Sequence, residues 1–197
     1  VTTGTLQSYV AFHGIMPFRR PVIIGSELVS FSALLTCLTH RARPVAMIEP
    51  EPHPLARSPF HWFPRLVGVP FHCGATLTDI RGRDRVEEAD IRLADGRILT
   101  VQCDGVLLTG RFTPEAALLN ASPVDVAAGS AGPLIDQDGR MANPIFFASG
   151  NVLRAVETGG WAFREGRRVG ASVGGDLARG PCHAPGVPLG FADPLKL

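Results

Sequence analysis

The side chains that could do chemistry in this chain are few and widely spaced. Cys37, Cys73, Cys103 and Cys182 contain no C-x-x-C pair, which argues against a zinc site, a redox dithiol or a disulfide framework. They read as buried or free thiols. His53, Phe60, His61 and Trp62 fall among prolines 50, 52, 54, 59 and 64, at spacings that match no metal-ligand signature. That stretch is expected to be a packed loop or a set of short turns, with no metal bound. No nucleophile motif and no internal acid–base pair stands out, so no catalytic residue is assigned. The chemistry on offer lies instead in glycines that end short apolar runs, Gly4, Gly25, Gly110 and Gly150. A missing side chain there lets a ligand approach the backbone.

The elements that must position those glycines follow from the apolar patterning. Val1-Thr2-Thr3-Gly4 is a short β-like piece, followed by turn residues up to Arg19-Arg20. Val22-Ile23-Ile24 reads as a buried parallel strand ending at Gly25. Leu28, Phe31, Leu34, Leu35 and Leu38 predict a helix over 27–39, and Val45 to Ile48 a second strand ending at Glu49. Strand, glycine turn, helix and strand make a βαβ unit. Asp95-Gly96 between Ile91–Leu93 and Ile98–Val101 predicts a hairpin. Gly105 to Gly110 reads as a further strand, and Ile145 to Ala148 as a last buried one before Ser149-Gly150-Asn151. A helix is expected from Gly160 to Leu177, with Ala162, Phe163, Val169 and Val173 on its inner face, and a surface-wrapping tail from Arg179.

Composition narrows the class. A chain of 197 residues with 45% hydrophobic content can bury a core of one or two domains. A net charge of +1 gives no sign of nucleic acid as partner. No apolar run approaches the roughly 20 residues of a membrane span. There is no basic segment before an apolar stretch at the N-terminus, so no signal peptide is expected, and a cytoplasmic location is. The chain opens on Val1 and not on methionine, which predicts that it begins inside a longer gene product.

The order of these segments resembles the FAD/NAD(P)-dependent pyridine nucleotide-disulfide oxidoreductase superfamily. Within it, the similarity is greatest to the flavoprotein subunits of opine oxidase, hydrogen cyanide synthase and dye-linked proline dehydrogenase. Val1-Thr2-Thr3-Gly4 resembles the Ala-Thr-Gly segment that ends an FAD-domain strand, and Phe12-His13-Gly14 the Phe-Pro-Gly that follows it. Val22 to Ala33 stands where the NAD(P) fingerprint belongs, and Leu107-Leu108-Thr109-Gly110 at that domain's own strand end. Phe146-Phe147-Ala148-Ser149-Gly150-Asn151 resembles Phe-Ala-x-Gly-Asp, which touches the ribityl-phosphate part of FAD. The first FAD fingerprint, G-x-G-x-x-G, is not in the sequence; the resemblance implies a fragment, or a second polypeptide that supplies that half.

The resemblance implies an α/β fold. A Rossmann-like NAD(P)-binding domain, a parallel sheet with helices plus an antiparallel hairpin layer, would be inserted in a partial FAD-binding domain. Residues 1–20 and 121–178 would belong to the FAD-binding part, 21–120 to a degenerate NAD(P)-binding-like domain and 179–197 to a tail. FAD would be touched by Thr3, Gly4, Gly150, Asn151, Gly159, Gly160 and Trp161, once the missing half is present. Thr158 to Trp161 would open a helix whose positive end faces the flavin's pyrimidine edge. Gly25, Ser26, Glu49 and Gly110 would line an NAD-like site, Glu49 standing where an acid holds the adenosine ribose. Glu27 and Ser30 replace the second and third fingerprint glycines, so no bound NAD(P) is expected. At an effective dielectric near 20, two unit charges about 4 Å apart cost roughly 4 kcal/mol, which sets Glu27 against a pyrophosphate.

Three functions follow. The first is an FAD-dependent component that passes electrons from an amine or amino-acid substrate, oxidised with a partner subunit, to an acceptor. The second is a non-catalytic scaffold with a decayed dinucleotide fold, and the third an NAD(P)H-dependent flavin reductase. A remnant FAD domain would expose apolar surface, so hetero- or homo-oligomeric pairing, or pairing with the missing N-terminal segment, is expected.

Overall fold

A computed structural model describes residues 1–110, 112, 114–127, 129–154 and 158–180. The chain divides into two compact units, Val1–Arg111 and Phe112–Leu197. The first unit opens with helix α1 (Thr3–His13), where a β-like piece is expected from sequence. Capping explains the difference. Thr2 Oγ1 accepts the Thr5 amide, and Gly14 ends the helix at φ 63°, its N–H bonded to the carbonyls of Tyr9 and Val10. Val1 and Thr2 keep a strand-like contact: Thr2 forms a parallel bridge to Leu108, and the Val1 carbonyl accepts the Leu108 amide at 2.9 Å.

Strand β1 (Pro21–Ile24), helix α2 (Leu28–Thr39) and strand β2 (Ala46–Glu49) form the expected βαβ unit. A 3-10 turn (Phe60–Trp62) and helix α3 (Phe63–Leu66) interrupt the proline-rich stretch; Pro64 sits in the first turn of α3, where a missing N–H costs nothing. Strands β3 (Phe71–Cys73), β4 (Thr76–Arg81), β5 (Glu88–Arg92), β6 (Ile98–Gln102) and β7 (Gly105–Leu108) complete the unit. They assemble as a parallel sheet ordered β3-β2-β1-β7 and an antiparallel sheet ordered β4-β5-β6. The Asp95-Gly96 turn joins β5 to β6 with Arg92 opposite Ile98, as the hairpin signal predicts.

Alternation along β1 and β2 builds two cores. Ile23 and Met47 face one way, into a cluster with Leu6, Phe18, Phe31, Leu34 and Leu107. Val22 and Ile48 face the other, packing with Ala75, Ala89, Ile91 and Cys103 of the antiparallel layer. A central parallel strand buried on both faces has to be apolar throughout, which is why β1 reads Pro-Val-Ile-Ile. The buried stripe of α2 is Ser30, Phe31, Ala33, Leu34 and Cys37; Leu28 and Leu35, expected inside, are about half exposed.

In the second unit, α4 (Ala117–Asn120) precedes irregular chain, and α5 (Gly159–Arg179) is the long helix. The last strand expected over 145–148 does not form. Instead Met141 donates to the Phe146 carbonyl at 3.0 Å and Ala148 to that of Gly139 at 2.9 Å, so the segment folds back on residues 139–141. Ile145 is left 73% exposed, and among the described residues of this unit no named strand lies beside it. On α5 the buried residues are Glu165 and Val169; Phe163, expected inside, is exposed. Arg140 ties this region down with a two-pronged bond to Asp176, at 2.8 and 2.7 Å.

Asp104 fixes the entry to β1, accepting the Arg19 amide at 2.5 Å and the Arg20 amide at 2.8 Å. Asp104→Ala is expected to lower unfolding free energy by about 1–3 kcal/mol, since both amides lose a charged acceptor. A urea midpoint unchanged from the wild type would refute this.

Candidate functional site

Of the expected NAD-like residues, Gly25, Glu49 and Gly110 line one cleft of about 770 Å³ in the first unit, at the C-terminal ends of β1, β2 and β7, while Ser26 is wholly buried and does not line it. Gly25, Glu27, Glu49, Thr109 and Gly110 line it together with Pro50 to Leu55. Parallel pairing forces this convergence, because Ile24 is opposite both Ile48 and Leu108. Gly25 then turns at φ 115°, and a side chain there would run into Thr109 and Glu27. Gly110, at φ 85°, leaves the space that the Glu27 carboxylate fills.

Glu27 is the N-cap residue of α2, yet its side chain makes no capping bond. The sequence suggests a carboxylate competing for the helix amides; the structure instead turns it across the crevice. There its Oε2 lies 3.1 Å from Ser30 Oγ, which also touches the Thr109 hydroxyl, so the single Ser30 proton serves one of the two. Thr109 in turn donates to the Ile24 carbonyl at 2.7 Å. The third fingerprint position therefore closes helix to strand through hydroxyls rather than by glycine contact.

Glu49 is buried, not a cap on an exposed strand end. Its carboxylate accepts from Ser26 Oγ at 2.5 Å and from the Glu51 amide at 3.0 Å. Ser26, wholly buried, also accepts the Leu55 amide at 2.9 Å, while its carbonyl takes the Ala56 amide at 3.0 Å. Each carboxylate oxygen already holds one donor, and Glu49 is only 3% exposed, so a ribose hydroxyl would have little access to it. Glu27 at the head of α2 puts a negative charge where a dinucleotide fingerprint would take a pyrophosphate, which is unfavourable to NAD(P).

Thr3 and Gly4 occupy the first turn of α1; Thr3 is buried and its hydroxyl has no partner. In the second unit, Gly150 turns at φ 76°, but its N–H is already given to Glu165 at 2.6 Å. Glu165 also receives Arg154 at 2.6 Å. Burial raises the Glu165 carboxyl, but the Gly150 amide and Arg154 outweigh it and hold the group below the usual carboxylate range. Asn151 is exposed beside this turn. Thr158 makes no side-chain cap at the head of α5, and no acid lies in the first turn. Space around Gly159 and Gly160 is open, and Trp161 is half exposed with the Arg164 guanidinium 5.1 Å above its ring. Asn151, Gly159, Gly160 and Trp161 are thus accessible near the head of α5, whereas the Gly150 amide is spent.

Sequence reasoning missed Ser30, Thr109 and Glu165 as working groups. A polar residue at helical spacing with buried ones, as Glu165 is with Val169, was the available signal. Burial, then the charge of Asp104, pushes the Cys37 thiol up to about 11, and burial raises Cys73 and Cys103 as well. Cys182 lies outside the described residues. Among the described residues no group of His, Cys, Asp and Glu could hold a metal ion, and no helix is long and apolar enough to cross a membrane.

Ser26→Ala should release the 51–56 loop, with faster hydrogen exchange at Leu55 and Ala56 and about 1–2 kcal/mol lost; unchanged protection at Leu55 would contradict the clasp. Because the folded Glu165 carboxyl titrates below its unfolded value, its stabilisation is full above about pH 4.5 and is lost as pH falls through the folded value. Glu165→Gln should therefore flatten the acid side of the stability profile. An unaltered slope below pH 4.5 would remove Glu165 from that role.

No protein-family model matches the chain, and no curated protein matches it in sequence. Solved structures do. Thioredoxin reductase from T. acidophilum aligns at 20% identity and TM-score 0.69, covering 81% of this chain and 53% of that one. Thioredoxin reductase from Lactococcus lactis aligns at 15% and 0.66, covering 82% and 54%. An FAD-dependent pyridine nucleotide-disulphide oxidoreductase from Desulfovibrio vulgaris aligns at 19% and 0.65, covering 91% and 48%. The chain thus spans about half the length of the structures it matches, and over that span it has the fold of the pyridine nucleotide-disulfide oxidoreductases.

Proposed function

We propose that this chain is part of a flavoprotein oxidoreductase, similar to the flavoprotein subunits of opine oxidase, hydrogen cyanide synthase and dye-linked proline dehydrogenase. In this reading FAD passes electrons from an amine or amino-acid substrate, oxidised with a partner subunit, to an acceptor. The supporting observation is the contrast between the two glycine-marked regions. The first-unit cleft carries Glu27 at the head of α2 and the Ser26–Glu49 pair in its wall, whereas among the described residues no side chain caps the α5 N-terminus. An enzyme that cannot take reducing equivalents from NAD(P)H needs them from its own substrate.

FAD, when bound, supplies the hydride- and electron-transfer chemistry. Asn151 would hydrogen-bond its ribityl or phosphate oxygens, replacing the charge of an aspartate with an amide. The amides of Gly159 and Gly160 would stabilise negative charge at the head of α5. Trp161, with Arg164 stacked on it, would limit water at that end. Glu165 holds the Gly150 turn in shape. Residues 1–20 and 121–178 are assigned to the FAD-binding part and 21–120 to the degenerate NAD(P)-like part. The remaining FAD-binding segment comes from a longer product or a partner chain, in the cytoplasm.

One observation favours a scaffold without cofactor: the Gly150 amide, where backbone would meet FAD, is already satisfied internally. Absorbance between roughly 350 and 500 nm, the flavin window, decides between the two in the intact natural gene product. Flavin bands that NADH does not bleach are expected. A colourless product would leave the scaffold, and rapid bleaching by NADH would establish a reductase instead.

A further inference from the structure

We propose that the turn over residues 57–66 seats the first unit on a membrane surface rich in anionic lipid. The net charge of +1 hides an uneven distribution along the chain. From 28 to 48 the charged residues are Arg41 and Arg43, and from 52 to 78 they are Arg57 and Arg65. No aspartate or glutamate falls in either stretch. These stretches supply α2 and α3, which cover one face of the parallel sheet over Ile23, Met47 and Leu107. Glu27, Glu49 and Glu51 stand at the C-terminal edge of that sheet. Acids return at Asp79 and continue through Glu88 and Asp90, in the antiparallel layer on the opposite face.

The 57–66 turn adds apolar surface to this charge pattern. Phe63 and Val67 pack against the core cluster and Pro64 is wholly buried, which fixes the turn on the sheet. Trp62 and Leu66 each stand one position earlier, four residues apart, so the same helical turn aims both outward. They are 60% and 80% exposed, and Phe60 is 51% exposed. Arg57 and Arg65 are exposed in the same turn, and among the described residues no salt bridge holds either. Aromatic rings and a leucine among unpaired guanidiniums fit the lipid interface: the rings enter the acyl boundary while the guanidiniums stay with the phosphates. Charge complementarity selects the partner. An acid-free face matches a surface of uniform negative charge, whereas a protein face interleaves both signs and would leave its own cations without partners. Among the described residues no helix could cross the bilayer, so the contact is peripheral. None of this depends on the flavin reading.

The test sediments the full natural gene product with vesicles of phosphatidylcholine, alone or with roughly one part in four of phosphatidylserine. Binding to the anionic vesicles should be about tenfold tighter or more, and high salt should remove most of that difference. Arg57→Gln with Arg65→Gln should weaken binding to the anionic vesicles about tenfold, through the loss of two charges near the surface. Trp62→Ser with Leu66→Ser should weaken it about tenfold or more, since both side chains leave water on docking. Arg83→Gln makes the same kind of charge change at an exposed position of the antiparallel layer, and should alter binding about twofold or less. Each variant is compared at wild-type thermal stability. Equal binding to the two kinds of vesicle, or wild-type binding by either double variant, overturns the proposal. So does a failure to sediment with either; if Trp62→Ser with Leu66→Ser then turns a wild-type oligomer into a monomer in light scattering, the turn is a protein interface instead.

Discussion

The pairing of Ile24 with Ile48 on one side and Leu108 on the other is the constraint on which the first unit depends. Parallel strands in register must end together, so the residues after them, Gly25, Glu49 and Thr109, are brought to one edge whatever their chemistry. The bonds continue past the strands: Gly25 donates to the Ile48 carbonyl and Thr109 to that of Ile24, both at 2.8 Å. α2, carrying the chain across the sheet, has to begin at this same edge. A crevice is therefore a by-product of topology, and only the side chains decide what may enter it.

Three carboxylates settle that choice in different ways. Glu27 stays half-exposed and projects charge. Glu49 loses its charge's reach to two close donors and becomes a structural pin. Glu165, in the second unit, stands where an anion might have met the Gly150 amide and is itself neutralised by Arg154. Acids thus take over, within the protein, backbone and hydroxyl contacts of the kind that phosphate and sugar ligands use.

Much of this architecture was legible in the sequence, and the reasons for the exceptions are physical. Val22 to Ile24 and Val45 to Ile48 are buried on both faces, and a continuous β-branched run reports that directly. Asp95-Gly96 reports a tight turn just as locally. Residues 1–13 and 145–148 misled because their fate depended on features the local pattern does not contain: a cap at Thr2, a left-handed glycine at 14, and, among the described residues, no named strand beside Phe146. At the cleft, the replacement of glycines by Glu27 and Ser30 was visible. Their orientation was not, since it depends on Thr109, some 80 positions away in the chain. Ser26 was similarly recognisable as a turn residue but not as the donor to Glu49.

The Ser26–Glu49 and Glu27–Ser30–Thr109 contacts have an evolutionary consequence. Each joins residues that would have to change together to make an all-glycine turn. Replacing Ser30 alone leaves Thr109 and Glu27 short of a partner, and replacing Ser26 alone strands the buried Glu49, at a penalty of about 1–3 kcal/mol for each abandoned group. Domains are only marginally stable, so such single steps are poorly tolerated. The turn acts as a ratchet: drift can elaborate the present contacts of the cleft far more readily than it can convert the turn to an all-glycine one.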